Sequence, residues 1–364
     1  MLMNPLEALT ISKIYNVPPE DILFLDLNLS GVKFHLPYSR IRFEFIPEYR
    51  TYFRISIKRN IKKYFFPLPT TPSSIYCIKE DHLTMNGEKI GKVKGIAEDT
   101  CDSSYSRRNG TVLNLNPNSK SLCHGCKFCH TIQQTARDRE YRFTLSTFQR
   151  FLKKWVREHG VPDLSHLIQV ALITGCFGSE KEVVKYLKVI RKVLNEYKFS
   201  GELFYYGSEI ISKKALDELK KVKPFALCLS FECFENRDIM LKDTKRNLSI
   251  EDAKNILSRV IENGFRSNFS YILGIEPLDA MKKLFEELFP YINSFPVINV
   301  FQIHRGQEKL RYPDAWEIKY YMKARKTLEK MFMKTNMRPR PWENYRGLWY
   351  LQFGDAILDG IRTP

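Results

Sequence analysis

Cys123, Cys126 and Cys129 stand at gaps of two and two in the stretch CHGCKFC, just after a segment (114–120, NLNPNSK) that favours turns. Thiolates this close on irregular backbone converge on one soft centre, and zinc and an iron–sulfur cluster are the two ordinary occupants. His124 and His130 flank the run, and either would close a tetrahedral zinc site with the three cysteines. Eight cysteines, three of them within seven positions, suit a reducing compartment better than a disulfide framework.

The elements around this loop decide where it sits. From residue 110 the chain alternates apolar runs with helical stripes. Thr111–Leu115 is a short strand, and the cysteines follow it directly. A helix from about Thr144 carries Phe148, Phe151, Leu152, Trp155 and Val156 on one stripe. Leu167–Thr174 is an almost continuous apolar run, as expected of a strand buried on both faces. Ser179 and Glu182 form a capping box that opens the next helix. Further strands are expected at Leu203–Tyr206, Phe225–Phe231, Phe269–Leu273 and Val297–Ile303. Helices are expected at Ala215–Val222, from Ser249 to a stop at Gly264, at Met281–Leu288, and from about Asp314 to Phe332. Six βα units predict an α/β fold with a parallel sheet, doubly wound or an incomplete barrel, whose functional face lies at the strand C-terminal ends.

Residues 1–109 read as β-rich. Alternation marks Lys33–Pro37, Ile41–Ile46 and Tyr52–Ile57 as strands, and Asn86-Gly87 marks a hairpin. Pro67, Pro69 and Pro72 are expected to divide the region, which offers scaffold or substrate cover and no chemistry of its own. Residues 110–335 form the βα domain and 336–364 an aromatic, Pro-broken tail able to fold over an open end.

Other groups on the expected functional face complete the picture. Thr174-Gly175-Cys176-Phe177-Gly178 follows strand two, and its glycines let backbone approach a polar ligand or simply make a tight turn. Glu232 ends strand four, where a carboxylate accepts from a ribose diol or faces solvent at a helix start. Gly274-Ile275-Glu276 follows strand five, admitting a flat ring or punctuating the chain. Tyr205, Tyr206 and Glu209 at the end of strand three, and His304 and Arg305 at the end of strand six, are substrate-face candidates. Arg305 pairs with an anion bidentately. Cys176 is an auxiliary ligand, a hydrogen donor or an ordinary buried thiol.

On these residues, 110–335 resemble the radical S-adenosylmethionine superfamily. Cys126-Lys127-Phe128-Cys129 matches the Cys-x-aromatic-Cys half of its motif, although the gap between the first two cysteines is shorter than is usual there. The resemblance implies a partial (β/α)6 TIM-like barrel, a 4Fe–4S cluster on Cys123, Cys126 and Cys129, and S-adenosylmethionine as cofactor. Cleavage of that cofactor would give a 5′-deoxyadenosyl radical that abstracts hydrogen from substrate. It places Phe128, Thr174, Gly175, Gly178, Glu232, Gly274 and Glu276 around the cofactor. By similarity to the biotin- and lipoyl-synthase branch, Lys242 is assigned to the methionine carboxylate and Ser267 to the same site. Cys176, Tyr205 and His304 are the catalytic candidates; Tyr206, Glu209 and Arg305 are those for substrate.

The chain has 364 residues and a net charge of +17. The charge is scattered, so it reads first as a Lys-rich background, and only second as a surface for nucleic acid or an acidic electron donor. With no RNA-binding module appended, a small-molecule or peptide substrate is favoured over tRNA. A one-electron donor such as flavodoxin or ferredoxin is the expected partner. The contrasting class is a zinc-stabilised nucleic-acid-binding protein. No stretch approaches a membrane span, and the first residues lack the charged and apolar regions of a signal peptide, so the expected location is the cytoplasm.

Overall fold

The computed structural model describes residues 5–48, 63–100, 104–116, 125–129, 144–173 and 177–358. Two helices open the chain, α1 (Pro5–Tyr15) and α2 (Pro19–Ser30), within the region that reads as β-rich in sequence. Residues 19–28 of α2 are buried on every side, Glu20, Asp21, Asp26 and Asn28 included. A helix enclosed all round shows no amphipathic stripe, which is why its period was hidden.

A five-stranded antiparallel sheet follows: β1 (Arg40–Pro47), β2 (Tyr64–Pro69), β3 (Tyr76–Lys79), β4 (His82–Met85) and β5 (Glu88–Glu98), in the order β2-β1-β5-β4-β3. Pro67 and Pro69 lie within β2 and do not break it. β2 is an edge strand paired only with β1, so the missing amide protons cost no second ladder. Asn86 and Gly87, at φ +51° and +89°, make the expected hairpin between β4 and β5. The Lys33–Pro37 strand shrinks to isolated bridges at Val32 and Lys33; Tyr52–Ile57 lies outside the described residues.

The second sheet has seven strands in the order β12-β11-β10-β9-β8-β7-β6. They are β6 (Tyr105–Arg107), β7 (Val112–Leu115), β8 (Gln169–Ile173), β9 (Glu202–Gly207), β10 (Phe225–Glu232), β11 (Arg266–Leu273) and β12 (Val297–Val300). β7 to β12 run parallel, each beside its predecessor; β6 pairs antiparallel with β7. The sheet therefore begins before residue 110. Its helices are α3 (Leu145–Glu158), α4 (Glu180–Glu196), α5 (Lys213–Leu219), the short α6 (Arg237–Met240) and α7 (Asp243–Arg246), α8 (Ile250–Glu262), α9 (Leu278–Leu288) and α10 (Ile318–Phe332). Thr144, Ser179, Ser212 and Ser249 cap their helices, each side chain accepting from the backbone N–H three residues on.

Strand alternation sorts the two faces of this curled sheet. Leu172, Leu203, Tyr205, Leu227, Phe269, Tyr271 and Ile298 pack in the core that the helices cover. Ala171, Phe204, Tyr206, Ala226, Cys228 and Val297 form a separate cluster on the inner face. The lower end is plugged by Arg266, whose guanidinium bonds Glu202 and Glu343 at 2.6 Å each, while Gln169 donates to both carboxylates. The open side between β12 and β6 is filled by residues 341–346. Arg107 of β6 donates to the carbonyls of Pro341 and Asn344, and Val300 of β12 donates to that of Arg346. The tail thus closes a lateral gap in the half-barrel, a more intimate role than covering an end.

Candidate functional site

Residues 125–129 form a turn held at the C-terminal ends of the strands. The Cys129 amide donates to the Cys126 carbonyl at 3.0 Å, and the Lys127 amide donates to the Met240 carbonyl at 2.9 Å. Gln307, beyond β12, donates to the Lys127 carbonyl at 2.7 Å. Gly125 sits at φ +113°, and a Cβ there would meet the Lys242 Cβ at 2.9 Å. Only glycine permits both the backbone conformation and the approach. Cys126 and Phe128 are buried with Cys233, Met240, Leu241, Ile272, Ile275 and Phe301, with Cys129 packed against them. Phe128 is therefore the apolar anchor of the turn.

Beside the turn lies a buried ion pair. Glu232 is 2 % exposed and, at φ +75°, adopts a conformation that side chains rarely take. Its Oε1 accepts from Lys245 Nζ at 2.7 Å and from the Ser230 hydroxyl. Tyr206 on β9 approaches both carboxylate oxygens at 3.4 and 3.5 Å. Burial by itself would raise the Glu232 pKa; the Lys245 charge and the hydrogen bonds outweigh it and hold the carboxyl below its ordinary value. Burial also pushes the Cys126 thiol up, and the Lys245 ammonium counters it. Lys245 was not singled out in the sequence. It stands one helical turn past Lys242, and only the fold of α6 and α7 reveals which lysine reaches inward.

The remaining candidates divide. Tyr206 faces the inner side, whereas Tyr205 points into the helix-covered core and donates to Glu209 at 2.7 Å. Tyr205 is thus corrected from a catalytic group to a support of Glu209; adjacent strand residues take opposite faces. Glu209 lies 4.0 Å from Lys242, which immediately precedes α7, so Lys242 faces a carboxylate of the protein. Ser267 is corrected as well. It is the second residue of β11, bonded to Leu257 and Asn293 beside the Arg266 plug, at the strand end opposite the cysteines. Glu276 accepts from the amides of Phe234 and Glu235 and from the Tyr271 hydroxyl, stapling the loop after β10 to that after β11. Gly274, at φ +114°, leaves room for Tyr321, whose hydroxyl would be 2.8 Å from a Cβ. The Gly178 amide is occupied by Glu182, the residue that Ser179 caps. His304 Nε2 is 3.0 Å from Arg40 Nη1, and its amide donates to Gln307. His304 and Arg305 line a cavity of about 650 Å³ with Asp26, Ser39, Thr70, Arg311 and Trp316, between the N-terminal sheet and the loop after β12. Cys123, His124, His130, Thr174, Gly175 and Cys176 lie outside the described residues.

Among the described residues no three His, Cys, Asp or Glu side chains are grouped to hold a metal ion; Cys123 is not among them. What is described fits a thiolate-ligated cluster: two cysteines on one hydrogen-bonded turn, apolar packing beneath it, and the Lys245 cation near Cys126. No helix among the described residues is long and apolar enough to cross a membrane.

No family model matches the sequence, and no curated protein matches it. Solved structures do resemble it at the level of fold. SuiB from Streptococcus suis, bound to S-adenosylmethionine, is 13% identical over 64% of this chain and 51% of its own, at a TM-score of 0.42. anSMEcpe with bound AdoMet and a peptide is 10% identical over 62% of each chain, at 0.46. Coproporphyrinogen III oxidase (HemN) from Escherichia coli, a radical SAM enzyme, is 12% identical over 60% of this chain and 53% of its own, at 0.41. The chain spans about half the length of SuiB.

Proposed function

We propose that this chain is a radical S-adenosylmethionine enzyme acting on a small-molecule or peptide substrate. One observation carries the reading: a Cys-x-aromatic-Cys turn, fastened to the loops after β10 and β12, at the C-terminal face of a six-stranded parallel half-barrel. Cys123, Cys126 and Cys129 would hold a 4Fe–4S cluster. When bound, the cluster and S-adenosylmethionine supply reductive cleavage to a 5′-deoxyadenosyl radical for hydrogen abstraction.

The chain's own residues do the rest. Lys245 and Ser230 hold Oε1 of Glu232, and Oε2, beside the Tyr206 hydroxyl, is directed to a ribose hydroxyl. Gly175, after β8, offers backbone to the methionine amino group. Phe128 and the apolar cluster around it keep water from the turn. His304 and Arg305, at the cavity under the N-terminal sheet, face the substrate approach. A flavodoxin- or ferredoxin-like donor supplies the electron, in the reducing setting of the cytoplasm.

The test is anaerobic reconstitution with iron and sulfide, then dithionite and S-adenosylmethionine, with chromatography for 5′-deoxyadenosine. A brown protein that forms the nucleoside supports the reading. A colourless, zinc-loaded protein that forms none replaces it with a zinc-stabilised fold.

A further inference from the structure

Arg346 is 7 % exposed, and its backbone is fixed: its amide donates to Asn299 Oδ1, and its carbonyl accepts from Val300. No side chain or carbonyl among the described residues accepts a hydrogen bond from its guanidinium. The contrast with neighbouring Arg40 is sharp. Arg40 is fully buried and donates to Asp99 at 2.9 Å, to Gln302 at 3.0 Å and to the Pro67 carbonyl at 3.3 Å, with His304 at 3.0 Å. Asp99 is already committed, one oxygen to Arg40 and the other to the Tyr345 hydroxyl. Burial and the Arg40 charge pull the Arg346 pKa down to about 10, which still leaves it charged at neutral pH.

A buried cation beside a second cation is destabilising unless an anion completes it. The position of Arg346 suggests where that anion comes from. It lies in the segment that closes the half-barrel between β12 and β6, its carbonyl bonded to Val300, the neighbour of Phe301, which packs with Cys126 and Phe128. The Cys126–Cys129 turn is joined to the same group of residues through Gln307 and His304. We propose that Arg346 is a substrate-binding residue, seating a carboxylate or phosphoryl oxyanion of the substrate beside the cysteine turn, with Arg40 fixing the positive field behind it. The planar fork of arginine suits bidentate capture of such a group. The substrate assignment rests on the radical S-adenosylmethionine reading; the anion seat itself does not.

The experiment measures thermal unfolding of the full chain in sodium acetate and in sodium phosphate, against sodium chloride at equal ionic strength. An anion bound only by the folded state raises Tm by about 2 °C once it exceeds its dissociation constant roughly tenfold. We expect this rise in the wild type, stronger with acetate for a carboxylate seat and with phosphate for a phosphoryl seat. Arg346→Gln should lose it while melting, in chloride, at or above the wild-type temperature, because an uncompensated charge has gone. Arg346→Lys, with the charge but not the fork, should keep a reduced rise. No oxyanion effect in the wild type, an equal effect in Arg346→Gln, or a lower Tm of Arg346→Gln in chloride would each overturn the seat. If saturating S-adenosylmethionine abolishes the acetate rise in reconstituted protein, the seat belongs to that cofactor's carboxylate and the substrate assignment falls. A wild type that keeps the oxyanion rise but forms no 5′-deoxyadenosine upholds the seat and overturns the enzyme class.

Discussion

Glu232 and Lys245 show how much one buried pair decides. Removing Lys245 leaves a carboxylate buried at a strained strand end, so Lys245→Met is expected to cost about 3–5 kcal/mol in denaturant unfolding. The pair also sets a pH dependence. A carboxyl held below its unfolded value of about 4.3 contributes stability above that pH, and the contribution is lost as pH falls through the lower folded value. Glu232→Gln should therefore flatten the loss of stability as pH falls below the unfolded carboxyl value of about 4.3, read from urea midpoints; an unchanged acid slope would deny the pair its role. Cys126→Ala should abolish the brown absorption near about 400 nm and the bound iron after reconstitution. At this scale the sequence was partly legible. Glu232 was found because it ends an apolar run. Lys245 was not, because nothing in the spacing of α6 and α7 tells which of two lysines turns inward.

The cysteine turn is the element on which the site depends, and its geometry comes from partners distant in the chain. Gly125→Ala is expected to drive a Cβ into Lys242 from a left-handed backbone, and Gln307→Ala to free the Lys127 carbonyl. Both should lower iron retained per chain after desalting, with Gly125→Ala the more severe; full iron loading in both would show that the described packing does not govern the turn. Glu276→Ala leaves two backbone amides without their acceptor, a cost of about 2–5 kcal/mol measured by chemical denaturation. The strands were legible as elements because they are short apolar runs between helical stripes. Helices α1 and α2 were not, since α2 is buried on all sides and shows no stripe.

The N-terminal segment, α10 and the tail are locked together as one body. Arg325 is wholly buried, bonding Asp21 at 2.8 Å and Glu329 at 2.7 Å, while Asp21 accepts from the amides of Tyr350 and Leu351, and Glu329 from Trp349. Arg325→Met should destabilise the whole chain by roughly 3–5 kcal/mol in a single unfolding transition. A separate, earlier transition for residues 5–100 would instead show that the N-terminal sheet folds apart from the barrel. The +17 charge plays no visible part in this assembly, since the tightest charged groups here are buried and paired.

The sequence by itself determined the parallel βα order, the position of the cysteines after the first barrel strand, and the carboxylate at the end of β10. These follow from local period and chain order, which survive without knowledge of neighbours. Tertiary structure decided that Tyr206 and not Tyr205 faces inward, that Ser267 lies at the far end of its strand, that Lys245 partners Glu232, and that residues 341–346 close the gap between β12 and β6. Each of these depends on strand register or on contacts between residues tens to hundreds of positions apart, and pattern along a single chain carries no record of either.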